Sequence, residues 1–160
     1  MTVHTFQASA TIPAPLEEVF GFFSRAENLQ KLTPKHLHFQ ILTPLPIEMK
    51  PGAIIEYRLR LFGISFRWQT EITVWEEGVR FVDVQKKGPY RLWEHEHRFS
   101  AQGDSTLMED HLRYSISGGP LEPAIHAIFV RKQIESIFSF RNSAIERVFR
   151  RSSDNQVPSE

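Results

Sequence analysis

Apolar and polar residues alternate along most of the first two thirds of the chain, in segments separated by glycine and proline. Over residues 3–12, Phe6, Ala8, Ala10 and Ile12 share one face against Gln7, Ser9 and Thr11, the period of a half-buried β-strand. Pro13 and Pro15 end it. Pro15, Glu17 and Glu18 mark the start of a short helix whose apolar side is Val19, Phe20, Phe22 and Phe23. A second short helix is predicted over 24–32, with Ser24 as cap, Glu27 in capping-box position and Leu29 and Leu32 on one face, until Thr33-Pro34 stops it.

The alternation then predicts six more strands. Residues 36–43 put Leu37, Phe39 and Ile41 together; 53–61 do the same for Ile55, Tyr57, Leu59 and Leu61, and 64–75 for Phe66, Trp68, Thr70, Ile72 and Val74. Residues 79–86 align Val79, Phe81, Asp83 and Gln85, although Val82 and Val84 weaken the contrast. The stretch 88–99, GPYRLWEHEHRF, sets Trp93, His95, His97 and Phe99 against Leu92, Glu94, Glu96 and Arg98, and 106–116 set Met108, Asp110, Leu112, Tyr114 and Ile116 on one side. Short connections between successive strands favour antiparallel pairing. From about 121 to 150 there is no glycine and only Pro123, and Ile125, Ile128, Phe129, Ile134, Ile137, Phe138, Ile145 and Val148 recur at helical spacing. This predicts one helix, roughly 45 Å long.

Composition narrows the class of protein. A chain of 160 residues suits a single domain, expected over 1–151, with a frayed or disordered tail over 152–160 that carries no apolar pattern. Nineteen basic and nineteen acidic residues cancel, so no overall field favours nucleic acid. There is no cysteine for disulfide or thiolate chemistry. The start, MTVHTFQASATIPAP, has no basic region followed by an apolar core, and no run approaches the roughly 18 apolar residues of a membrane span, so a cytoplasmic protein without an integral membrane segment is expected. Thirteen phenylalanines supply large apolar volumes, either to fill a core or to line a cavity.

Two histidines beside a tryptophan on an inward face are costly unless that interior needs hydrogen bonds, which makes the 88–99 strand the candidate site. His95 and His97 admit three readings: interior residues satisfied by neighbours such as Asp110, groups that orient the polar head of a bound molecule, or ligands of a metal completed by Asp110 or Asp83. The spacing does not demand the last, and neither metal nor cofactor is expected. An enzymatic reading makes His95 or His97 the general base, Asp110 the group that fixes its tautomer, and Tyr57 or Tyr114 the donor to a developing enolate. No nucleophile motif, phosphate loop or cofactor fingerprint accompanies them. Arg141, in the apolar register of the long helix, is expected to snorkel at its edge rather than pair with a carboxylate.

The order strand, two short helices, six strands and a closing helix resembles the helix-grip fold of the START-like (SRPBCC) superfamily. FQASATIPAPLEEVFGFFSRAENLQKLTP looks like its opening signature, and QKKGPYRLWEHEHRF with MEDHLRYSI is similar to the polyketide cyclase/dehydrase-like branch. The resemblance implies an α+β fold, in which a curved antiparallel sheet of about seven strands wraps around the C-terminal helix and a cavity lies between them. The function it implies is binding of a hydrophobic or amphipathic small molecule (lipid, quinone or polyketide-like) by a monomer or weak homodimer. The alternatives are a cofactor-free cyclase/dehydratase and a protein-interaction module using exposed strand edges. The residues expected at the ligand are Tyr57, Phe66, Trp68, Phe81, Asp83, Gln85, Trp93, His95, His97, Met108, Asp110, Tyr114 and Phe138, with His95, His97 and Asp110 the catalytic candidates.

Overall fold

The computed structural model describes residues 1–154, the last four by their backbone. Seven strands, β1 (His4–Ile12), β2 (Gln40–Ile41), β3 (Ile54–Leu61), β4 (Ile64–Glu76), β5 (Arg80–Lys87), β6 (Leu92–Gln102) and β7 (Ser105–Ser115), form one antiparallel sheet in the order β1-β7-β6-β5-β4-β3-β2. Consecutive strands from β2 to β7 are neighbours, and β1 closes the far edge against β7. The β3–β4 turn is two residues long, and its two positive φ angles, 52° at Phe62 and 78° at Gly63, match the twist of the flanking strands. Register shifts in β4, between Gln69 and Thr70 and between Ile72 and Val74, bend the sheet.

After Gly118-Gly119 the chain enters α2 (Glu122–Ile125), a π-helical stretch (His126–Val130) and α3 (Arg131–Asp154). No helix among the described residues is long and apolar enough to cross a membrane. Helix α1 (Leu16–Phe23) packs Phe20 and Phe23 on Phe99 of β6, and Met108 of β7 with Ile145 and Phe149 of α3 complete that cluster. A second cluster joins Leu112 and Tyr114 to Val130, Ile134 and Phe138, and a third joins Leu37, Leu59, Leu61 and Trp68. The strand faces expected from alternation are those observed, with Trp93, His95, His97 and Phe99 inward and Arg80–Glu96 and Arg113–Glu94 pairs bridging strands outside. Such exposed pairs add little stability.

Three local expectations differ. The second short helix is a 3-10 helix, Ala26–Leu32, and Ser24 caps nothing there: its Oγ donates to the Phe20 carbonyl at 2.7 Å, closing α1. The strand expected over 36–43 shrinks to β2, because a 3-10 turn at Lys35–Leu37 ends on His38 in the left-handed region (φ 47°). Strand β6 starts at Leu92, since the Gln85 amide caps the 88–90 connection by donating to the Tyr90 carbonyl at 2.7 Å; a Cβ on Gly88 would collide with it. The tail expected over 152–160 lies outside the described residues, apart from the backbone of 152–154, which continues α3.

Candidate functional site

A cavity of about 180 Å³ lies between the sheet and α3, drawing walls from all three apolar clusters. Strands β3 and β4 contribute Ile55, Leu59, Leu61, Trp68 and Ile72; α3 contributes Ile134, Ile137 and Phe138. Alternation delivers these side chains to one face, and the β3–β4 register sets Tyr57 opposite Trp68, ring centroids 5.8 Å apart. Trp93 packs edge-on against Trp68 at 5.1 Å and tilted on Tyr90 at 4.7 Å. The wall residues that keep solvent exposure, among them Leu29, Thr33, Phe39, Met49 and Ile137, mark the entrance side.

One wall is charged. Registers between β5, β6 and β7 set Asp83 opposite His95 and Asp110 opposite His97, on the inward face of three adjacent strands. The two imidazoles lie 3.8 Å apart. His95 Nε2 donates to Asp110 Oδ1 at 2.9 Å, His97 Nδ1 stands 3.0 Å from the same oxygen, and His97 Nε2 donates to Asp83 Oδ2 at 2.8 Å. From α3, Arg141 reaches between the rings of Phe23 and Phe138, with Nη2 3.3 Å from Asp110 Oδ1 and 3.3 Å from His97 Nδ1. His95, His97, Asp110 and Arg141 are all buried.

Burial disfavours every charge here, so the protonation pattern follows from which partners outweigh it. For Asp110 it is outweighed by Arg141 and by hydrogen bonds from both imidazoles, which hold the carboxyl well below its ordinary range. Asp83 is also lowered against its burial, chiefly by the His97 hydrogen bond. Burial alone would lower His97, but its bonds to Asp110 and Asp83 raise it. His95 is lowered by burial and by the neighbouring His97. His97 is thereby favoured toward its protonated form and His95 toward its neutral one, facing two carboxylates and one guanidinium. His97 Nδ1 donates to Asp110 Oδ1 when protonated and accepts from Arg141 Nη2 when not, while Arg141 pairs with the Asp110 carboxylate in either case. Burial and Asp83 raise Tyr57 well above its ordinary value, keeping it a neutral phenol.

Of the residues expected at the ligand, Tyr57, Trp68, Phe81, Asp83, Trp93, His95, His97 and Phe138 line the cavity; Phe66, Gln85, Met108, Asp110 and Tyr114 do not. Met108 is buried in the α1 cluster, and Gln85 is spent on the Tyr90 backbone. Phe66 packs near the end of β3 beside Leu59, its cross-strand partner. Tyr114 bonds to His126 Nε2 at 2.7 Å, away from any enolate it was expected to serve. Asp110 stands behind the histidines as their common acceptor. Arg141 reverses its expectation: it is buried and paired with a carboxylate instead of snorkelling. Its signal was an arginine at the i+3 position after Phe138 in a buried register. Trp68 Nε1, Thr70 Oγ1 and Arg141 Nε, on three wall residues, are buried without a hydrogen-bond partner among the described residues.

The family model for polyketide cyclase / dehydrase and lipid transport matches residues 12–137. No curated protein matches the chain. A START superfamily protein from Mycobacterium smegmatis superposes with TM-score 0.68 at 17% identity, over 92% of this chain and 98% of that one. The Zhui aromatase/cyclase from Streptomyces sp. R1128 gives 0.64 at 13%, over 92% and 96%. Norcoclaurine synthase from Thalictrum flavum, in complex with a transition state analogue, gives 0.69 at 10%, over 95% and 97%. At these identities the likeness is one of fold. Sheet order, closing helix and the match over most of the chain agree, and the chain belongs to the polyketide cyclase / dehydrase and lipid transport family.

Proposed function

We propose that the protein binds an amphipathic small molecule in this cavity, its apolar body against Leu59, Trp68, Ile134 and Phe138 and its oxygen-bearing end at Asp83, His95, His97 and Arg141. One observation carries this reading: an apolar space between sheet and helix has a single polar wall, the make-up of a small-molecule site. The unpartnered Trp68 Nε1 and Arg141 Nε are donors and the Thr70 hydroxyl can donate as well, which suits a ligand with carbonyl, phenol or carboxylate oxygens. Burying about 300 Å² of apolar ligand surface is worth roughly 7 kcal/mol before the cost of immobilising the ligand. Titration with an anilinonaphthalene dye, quinones, polycyclic phenols and fatty acids, read by quenching of Trp68 and Trp93, should give dissociation constants below about 100 μM, or −5.5 kcal/mol. If no probe binds that tightly, the binding reading fails.

A second reading, proton abstraction next to a ligand carbonyl, is favoured by His95. Its Nε2–H is committed to Asp110, which leaves the Nδ1 lone pair free at the wall, and neutral Tyr57 can donate to the enolate. Incubation with a poly-β-ketone analogue, followed by mass spectrometry, tests it: loss of water relative to a His95→Gln control supports it, and identical product profiles refute it.

A further inference from the structure

We infer that Asp83, His95 and His97 form a binding site for a divalent transition-metal ion at the polar wall of the cavity, with Asp110 as the outer carboxylate that orients both imidazoles. One donor atom from each of the three lies within 4.8 Å of the others. His97 Nε2 is 2.8 Å and His95 Nδ1 3.8 Å from Asp83 Oδ2. Bonds of about 2.0–2.1 Å in a tetrahedral site put neighbouring donors about 3.3 Å apart, so the two distances bracket what an ion needs.

The surroundings argue for this more strongly than the triad does. Ligating histidines usually donate their second ring N–H to a carboxylate or carbonyl, which fixes tautomer and ring plane. Here one oxygen, Asp110 Oδ1, serves both rings: His95 through Nε2 and His97 through Nδ1, at 2.9 and 3.0 Å. The opposite nitrogens, His95 Nδ1 and His97 Nε2, are thereby turned toward Asp83. Arg141 neutralises Asp110, so the charge of Asp83 is left for the ion. All three ligands line the cavity while Asp110 does not, which leaves the fourth position to the cavity side, where a ligand oxygen or water completes the coordination. Two imidazoles and one carboxylate suit Zn²⁺, Co²⁺, Ni²⁺ or Fe²⁺ and not Mg²⁺ or Ca²⁺, which prefer oxygen alone.

This site replaces the expectation of a metal-free pocket and does not rest on the binding of an amphipathic ligand. The test is titration of the chelator-stripped full chain with Co²⁺ alone, read by its visible absorption. One equivalent should bind with a dissociation constant below about 10 μM and be displaced by Zn²⁺. Asp83→Asn and His97→Gln should weaken binding at least 100-fold. Asp110→Asn should weaken it by about 10- to 100-fold, and the surface variant His36→Gln should leave it unchanged. Far-ultraviolet circular dichroism confirms that each variant is folded. Absence of a saturable band in the wild-type chain overturns the proposal, and so does a band indifferent to Asp83→Asn. The dye titration is read separately: dye binding without cobalt binding leaves the cavity reading standing and ends this one.

Discussion

Replacing Arg141 with methionine removes a charge whose partner is buried and cannot follow it into water. Arg141 Nη2 lies 3.3 Å from Asp110 Oδ1, and at an effective dielectric of about 20 that attraction is worth about 5 kcal/mol. Desolvation of the guanidinium offsets part of it, and breaking a buried pair by removing one member costs about 3–5 kcal/mol in proteins generally. The lower figure applies here, because Asp110 keeps two imidazole donors, and it corresponds to a fall in melting temperature of about 6–12 °C for a chain of this size. Urea and thermal unfolding of both proteins, followed by circular dichroism with chelator present, measure it. The double variant with Asp110→Asn should cost at least about 1 kcal/mol less than the sum of the single changes, since the partner left unpaired is then neutral. A loss below about 1 kcal/mol for Arg141→Met would mean that the guanidinium is solvated at the edge of α3, and the buried Arg141–Asp110 pair would have no basis.

Thr106→Val keeps the volume of a fully buried side chain but removes its 2.8 Å bond to the Ala14 carbonyl, and should cost about 1–2 kcal/mol in urea unfolding. Phe138→Ala deletes the ring that meets Phe6, His95 and Arg141 and should cost about 3 kcal/mol; a near-neutral result would show that the second cluster collapses into the space. Glu122, bonded to His4 at 2.7 Å, has a pKa lowered from the ordinary 4.5, so its contribution is complete above that value and lost as pH falls through the lower folded one. The stability gap between the wild type and Glu122→Gln should therefore close on acidification below about pH 4; a gap that widens there contradicts the assignment.

Strand faces were legible in the sequence because the sheet has one apolar side and one wet side, and a period of two separates them residue by residue. That is why His95, His97, Asp83 and Trp93 could be assigned inward, and why the 88–99 stretch stood out. The closing helix was equally legible from its uninterrupted apolar register. Depth along each strand was not. Phe66, Gln85, Met108 and Tyr114 share faces with wall residues yet lie off the cavity, because the point where α3 crosses the sheet decides which of them meets empty space. Local signals also misled where two local structures compete: Ser24 has the chemistry of an N-cap but bonds backward to Phe20, and His38 in a left-handed turn cuts short an alternating run. Arg141 is the clearest case. Snorkelling is the ordinary fate of an arginine in an apolar register, and only the approach of β7, 31 residues earlier in sequence, supplies the carboxylate that holds it inside. Alternation thus determined which way each side chain faces, whereas the crossing of helix and sheet decided which charges meet, since ion pairing depends on distances that no local pattern encodes.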